Sequence, residues 1–295
     1  MKRNAVVNWA EYLLFRGALF KLRLLPYAWG KWLLIKLFMW IGYGIGIRRY
    51  VADQNLERAF DGMDVQKRRE LLKQVYHNLG LTSAELYLQP ENKLINSISF
   101  QGREHMDNAL ALGRGAILAT AHFGNWEAAR VLPLFGIPLA VVTKKQHNPL
   151  FENYNSTLRQ KHGLKLIDYE SGLKDIMRWL DKNGVVAILT DQNAGEAGLV
   201  MDFLGSPASH WKGVAKISLR KGVPIVPGFT LRTPKGGILM CFEPMIHHPG
   251  LDCDEDGIRK VTEEVNAVIE NYVRKWPEQW FWVHKRWLPE FYLKK

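Results

Sequence analysis

From residue 115 onward, short apolar runs alternate with stretches whose apolar positions recur at three- and four-residue spacing. The runs are GAILATA (115–121), PLAVVT (138–143), LKLIDY (164–169), VVAILT (185–190) and VPIVPGFTLR (223–232), with GGILMCFEPM (236–245) as a further strand. Helical patterns lie between and after them, at Asn125 to Phe135, Pro149 to Lys161, Gly172 to Lys182, Trp211 to Arg220 and Asp254 to Lys275. Upstream, Asp64 to Leu88 has the same helical period, with Asp64 placed as an N-cap. Strands this uniformly apolar are covered on both faces, and their alternation with helices predicts an α/β fold built on a mostly parallel sheet. VPIVP (223–227) is expected to be a buried strand with prolines at its margins, where a missing N–H is tolerated. There is no internal repeat, low-complexity tract or linker.

The first 50 residues read differently. WAEYLLFRGALFKLRLLPYAWGKWLLIKLFMWIGYGIGI (9–47) is dense in Leu, Trp, Phe and Ile, with a cation every few residues. Its longest uncharged run, 37–47, has 11 residues, well short of the ~20 that cross a bilayer. Charges interrupt the apolar stretch and no small-residue cleavage site follows, which argues against a cleavable signal peptide. The pattern predicts basic amphipathic helices lying in a headgroup layer as a hairpin bent at Pro26, the alternative being a basic helix folded onto the protein's own core. The expected organisation is an anchoring segment at 1–50 and a catalytic domain at 51–295.

Charge sharpens this division. The 295-residue chain carries 40 Lys and Arg against 29 Asp and Glu, a net +11. Residues 1–50 hold +8 and residues 274–295 another +4, leaving about −1 between them. Because those cations are interleaved with long apolar side chains, an anionic membrane surface is the expected partner and nucleic acid is not. Cys241 and Cys253 show neither metal spacing nor a disulfide framework, so inert thiols in a reducing compartment are expected.

The candidate chemistry lies in ATAHFGNWEAAR (119–130), which places His122 and Glu127 five residues apart. On one helix that spacing leaves the side chains roughly 140° apart, so they meet only if His122 lies in a strand-to-helix loop and Glu127 in the first helical turn. Gly124 permits the turn and Asn125 is a favoured N-cap. Such a carboxylate would fix the imidazole's tautomer, the base-plus-orienter half of a catalytic triad with a substrate hydroxyl as nucleophile. No Gly-x-Ser-x-Gly elbow is present. The alternative is a His and a Glu that merely satisfy the start of a helix. Asn125, or backbone N–H groups at the helix start, would be candidate oxyanion donors.

TAHFGNWE resembles the first motif of the bacterial lipid A biosynthesis acyltransferases, the lauroyl and myristoyl transferases within the glycerolipid acyltransferase superfamily and its His-x-x-x-x-Asp/Glu signature. RRYVADQNLERAF (48–60), NPLFENYNSTLRQKHG (148–163), LTDQN (189–193), DFLGSPASHWKGVAKISLRKGVPIVPGF (202–229) and WPEQWFWVHKRW (276–287) resemble that family's later blocks, in order. The resemblance implies a glycerolipid acyltransferase-like fold at the cytoplasmic face of the bacterial inner membrane. It implies transfer of an acyl chain from an acyl carrier protein or coenzyme A thioester to a hydroxyl of an anionic lipid such as a lipid A precursor, with His122 as base and Glu127 as its orienter. By position, Arg159, Asp191, Gln192, Lys212 and Gly213 are the substrate-binding candidates, although the superfamily's Glu-Gly-Thr motif is replaced by the DQN region. No metal or redox cofactor is implied. His284, with Lys285 and Arg286, suits anchoring to headgroups or to an acidic carrier better than catalysis. The rivals are acylation of another glycolipid, such as a phosphatidylinositol mannoside, and a non-catalytic, membrane-peripheral lipid-binding protein.

Overall fold

In a computed structural model, which describes residues 4–170 and 172–292, three helical pieces come first. They are α1 (Ala5–Arg23), α2 (Tyr27–Phe38) and a π-helical segment (Met39–Ile45). Pro26, which has no N–H to give a preceding turn, separates α1 from α2 at the expected bend. Next come α3 (Arg49–Ala59), α4 (Val65–Tyr87), α5 (Glu91–Asn96), β1 (Ile98–Gln101), α6 (Arg103–Ala111) and β2 (Ala116–Thr120). As expected, Asp64 caps α4, accepting from the N–H groups of Gln66 and Lys67. A 3-10 helix (Trp126–Phe135) leads to β3 (Leu139–Thr143), α7 (Pro149–Gln160), β4 (Lys165–Asp168), α8 (Leu173–Leu180) and β5 (Val185–Leu189). The chain then forms the hairpin β6 (Leu199–Phe203) and β7 (Ser206–His210), α9 (Gly213–Lys221), β8 (Ile225–Arg232), β9 (Ile238–Phe242) and α10 (Glu255–Lys275).

The main sheet has seven strands in the order β1-β9-β8-β2-β5-β3-β4. Strands β8, β2, β5, β3 and β4 are mutually parallel, while β9 pairs antiparallel with β8 and brings β1 with it. Successive side chains alternate faces. Ile117, Ala119, Val186 and Ile225 enter one core with α3, α4, α8, α9 and α10, and Ala116, Leu118, Val185 and Val226 enter the other with α5, α6 and the 3-10 helix. The apolar runs are therefore covered on both sides, as the pattern predicts. Strand β1, the β6/β7 hairpin, α3, α5 and α6 had no counterpart in the periodicity, being short or amphipathic over too few residues to stand out.

Helix α1 is held by its inner aromatic residues. Phe15 packs on Tyr87, Phe151 and Tyr154, and Arg23 donates to the Tyr87 carbonyl at 2.8 Å. Its outer face, with those of α2 and the π-helical segment, exposes Trp9, Leu14, Phe20, Leu24, Trp29, Trp32, Trp40 and Ile45. One face of this segment therefore folds on the body, and the other is an apolar, cationic belt. Among the described residues no single helix is long and apolar enough to cross a membrane.

The C-terminal tail departs from expectation. Trp280, Trp282, Arg286 and Trp287 are at most 3% exposed, so WFWVHKRW is a structural lock rather than an anchoring surface, and only Lys285 is outward. Three large indoles bury more favourably against Phe203 and one another than in a flat surface site. The Arg286 guanidinium lies 4.4 Å from the Phe203 ring centroid, and donates to the Ser209 carbonyl at 2.8 Å and to His210 Nδ1 at 2.9 Å. Burial, reinforced by the Arg286 charge, pushes the His210 imidazole down to about 3. His210 is therefore neutral when folded, whereas the unfolded chain takes up its proton near 6.5. Stability from this group is complete above 6.5 and falls as pH drops from 6.5 toward 3, by up to about 1.4 kcal/mol per pH unit. Urea unfolding of His210→Gln between pH 7 and 5 should show a shallower loss of stability than the parent; an identical pH dependence would contradict this origin.

Candidate active site

Strands β2 and β5 pair in parallel with Thr120 opposite Leu189. The chain continues in register for one more step, the Thr190 N–H donating to the Thr120 carbonyl at 3.0 Å. Two residues past each strand end stand His122 and Asp191, and adjacent strands are only about 4.8 Å apart. Their side chains meet: His122 Nδ1 lies 2.9 Å from Asp191 Oδ1, and the His122 backbone N–H donates to Asp191 Oδ2 at 2.9 Å. The Trp280 indole N–H donates to the same oxygen at 2.9 Å. Burial works to raise the Asp191 carboxyl, but the His122 charge and hydrogen bonds, with the Trp280 donor, outweigh it and hold the group below the usual carboxylate range. An ionised Asp191 accepts from Nδ1–H, which leaves Nε2 of His122 as the basic nitrogen.

The loop carrying His122 is fixed from several sides. Phe281 N–H donates to the His122 carbonyl, Thr230 Oγ1 to that of Phe123, Thr82 Oγ1 to that of Gly124, and Gly124 N–H to the Gln279 carbonyl. Gly124 has φ +55, and a Cβ there would stand 2.0 Å from the Thr230 carbonyl oxygen. No L side chain fits, so the sequence reading of Gly124 as the permissive turn residue holds for a stronger reason than conformational freedom.

The expected contact between His122 and Glu127 is absent. Glu127 does lie in the first turn of the helix, but it pairs with Arg159 of α7 through a fork, Arg159 Nε donating to Oε2 at 2.9 Å and an Arg159 Nη to Oε1. The physical reason is priority of register: Asp191 reaches His122 across one strand spacing and takes Nδ1, while Glu127 faces the cation arriving from α7. A second correction concerns Asn125. It precedes a 3-10 helix, its side chain does not cap that helix, and the amide is fully buried without a hydrogen-bond partner.

A cavity of about 730 Å³ opens at the carboxyl ends of β2, β3, β5 and β8 and runs between the sheet and its covering helices. His122, Trp126, Glu127 and Arg159 supply its polar part, and Leu118, Leu132, Val141, Leu164 and Met240 its apolar part. Of the residues singled out in the sequence, Gln192 and Gly213 also line it, whereas Lys212 and Asn125 are not among the lining residues. His284 is half-buried within the field of Asp191, with Nε2 unpartnered and its ring held below the ordinary imidazole range, chiefly by burial. The residue that sequence reasoning assigned elsewhere is Asp191, read there as a substrate ligand. The available signal was that AILATAH and VAILTD place an ionisable residue just beyond the carboxyl ends of two predicted strands. Trp280 carried no comparable signal. Among the described residues no group of three or more His, Cys, Asp or Glu is arranged to hold a metal ion.

A basic imidazole backed by a buried carboxylate, beside a deep and largely apolar cavity on an α/β sheet, is a constellation able to do general acid–base chemistry. The profile of the family described as "Bacterial lipid A biosynthesis acyltransferase" matches residues 2–289, and the chain belongs to that family and is an acyltransferase. It is 26% identical over 256 residues to a lipid A biosynthesis acyltransferase of Haemophilus influenzae, covering 84% of this chain and 78% of that one. It is 27% identical over 248 residues to a lipid A biosynthesis lauroyltransferase of Escherichia coli, covering 81% and 78%. A phosphatidylinositol mannoside acyltransferase of Mycobacterium tuberculosis is 24% identical over 195 residues, covering 64% and 60%. The crystal structure of the 1-acyl-sn-glycerophosphate (LPA) acyltransferase PlsC of Thermotoga maritima superposes with a TM-score of 0.39 at 16% identity, over 84% of this chain and 98% of that one.

Two measurements check the site's construction. Gly124→Ala should destabilise the protein by about 2 kcal/mol or more, from the positive φ and the Thr230 carbonyl together, seen as a lowered unfolding midpoint. The lowered Asp191 carboxyl contributes stability above the ordinary carboxylate range of about 4 that is lost as pH falls through its folded value. Acid titration of Asp191→Asn should therefore show a smaller loss of stability below pH 4 than the parent.

Proposed function

We propose that this protein transfers a fatty acyl chain from an acyl carrier protein or coenzyme A thioester to a hydroxyl of an anionic lipid, a lipid A precursor, at the cytoplasmic face of a bacterial inner membrane. The observation that carries the mechanism is the His122 and Asp191 pair beside the largely apolar cavity. Nε2 of His122 takes the acceptor hydroxyl's proton as that oxygen attacks the thioester carbonyl. The tetrahedral intermediate then expels the sulfur, which leaves as a thiol with the proton returned from His122, so the imidazole ends neutral. Asp191 holds the tautomer and offsets the imidazolium charge. Backbone N–H groups at the start of the 3-10 helix, where Trp126 and Glu127 line the cavity, are the proposed oxyanion donors. The apolar depth would receive the acyl chain, and Arg159, held by Glu127, an acceptor phosphate.

The exposed Trp, Leu and Phe side chains of α1 and α2, flanked by Lys21, Lys31 and Lys36, support docking on an anionic leaflet. Similarity to the mannoside acyltransferase keeps that acceptor class as the second reading.

With acyl carrier protein thioesters and a lipid A precursor, His122→Ala should lower kcat at least about 10³-fold. Asp191→Asn should lower it by about 10² to 10⁴ with little change in acceptor KM, because binding contacts are untouched while the tautomer is wrong. Glu127→Gln should act mainly on acceptor KM. Transfer at full rate by His122→Ala would overturn the mechanism; product only on a phosphatidylinositol mannoside would move the acceptor to the second reading.

A further inference from the structure

A second cavity, of about 530 Å³, lies between α2 with its π-helical extension on one side and α4 on the other. Leu37, Phe38, Ile41, Ile47, Leu79 and Leu86 supply its apolar walls. Its size is within the range of built ligand sites rather than packing defects. It meets the catalytic cavity at a polar waist, since Trp126, Glu127, Gln146 and Arg159 line both.

Its other end faces the exposed belt. Leu37 and Ile47 line the cavity and are also 44% and 55% exposed, so they form the edges of an opening. Beside them on the same segment Trp40 and Ile45 are 65% and 62% exposed. The cavity is thus continuous with the surface proposed to meet the leaflet. The exposed Arg48 lines the cavity next to Ile47, in the left-handed conformation at φ 59 that costs a non-glycine residue about 1–3 kcal/mol.

The wall itself is specialised. A π-helical segment of seven residues is rare and concentrated at functional sites. Gly42 presents its bare backbone to the Tyr76 ring, which a Cβ would approach to 2.3 Å, and the Tyr76 hydroxyl donates to the Ile47 carbonyl at 2.6 Å. The segment is therefore braced against α4 along one edge, with the hollow beside it left unfilled.

We propose that this second cavity takes a hydrocarbon chain of the lipid acceptor, entering from the leaflet between Leu37 and Ile47, with the acceptor's anionic headgroup between Arg48 and Arg159. The donor chain and the acceptor chain then occupy separate hollows that converge on His122. The assignment to the acceptor rests on the acyl-transfer reading; occupation by a leaflet chain does not.

The test uses the full chain with vesicles of equal parts phosphatidylethanolamine and phosphatidylglycerol, the latter with a photoactivatable diazirine in one acyl chain. Peptide mapping after irradiation should find label on Leu79, Ser83 or Leu86 of α4, and Ser83→Trp should lose it while label on outward residues such as Trp9 and Leu14 persists. Leu86→Phe, a smaller filling, gives the same loss should Ser83→Trp unfold, and unchanged thermal unfolding certifies either variant. Label confined to the outward residues, or undiminished on α4 in the filled variants, overturns the site. In turnover on a lipid A precursor, Ser83→Trp should raise the acceptor KM and leave the donor KM unchanged; a raised donor KM overturns the assignment to the acceptor. Labelling requires no turnover, so an inactive protein that still labels α4 would count against acyl transfer alone.

Discussion

The register between β2 and β5 governs the site. It sets two loop residues side by side on neighbouring strands, and the hydrogen bond from Thr190 to Thr120 carries the pairing one step past the strands. Once that is given, the imidazole and carboxylate meet without any further design of the loops. What remains is to stop the loop from moving. Four hydrogen bonds from α4, β8 and the C-terminal tail do that, and the tail also supplies Trp280 to the far oxygen of Asp191. His122 and Trp280, distant in the chain, thus act on one carboxylate at the ends of neighbouring strands.

A buried carboxylate is costly unless its charge is used. Asp191 is 3% exposed, yet it receives three hydrogen bonds, two of them from His122 and one from an indole. This preserves its charge against the low local dielectric, which is the condition for orienting and stabilising an imidazolium. The cation Arg286, stacked on Phe203, adds to the same field while donating to no carboxylate among the described hydrogen bonds. Its donors go to a carbonyl and to a neutral histidine. That choice leaves Asp191 free to serve His122 rather than a guanidinium.

The layered α/β architecture was legible because it follows from local rules: apolar runs demand two covers, and caps such as Asp64 mark helix starts. The position of His122 just past a strand end followed from the apolar run that precedes it, and Gly124 was read only as permitting the turn. The identity of the partner did not, because it depends on which strands are neighbours, and β5 lies next to β2 although β3 and β4 come between them in the chain. Burial of WFWVHKRW was missed for a similar reason. Aromatic and cationic residues suit a membrane surface and a packed core equally well, and only the hollow offered by Phe203 and the β6/β7 hairpin decides between them.

The five-residue spacing keeps its meaning although the pair it suggested is not formed. Glu127 begins its helix with the side chain turned from His122, and the fork from Arg159 brings a cation to the boundary of the two cavities. A lone arginine there would be a buried charge in search of any anion, and a lone glutamate would repel a phosphate. Together they present a guanidinium fixed in direction and partly neutralised, which can exchange part of its hydrogen bonding to an incoming anionic group without leaving either charge bare. In the proposed mechanism the loop between His122 and Glu127 would separate two tasks, proton transfer on the sheet side and anion placement on the α7 side. One backbone turn at Gly124 fixes the distance between them.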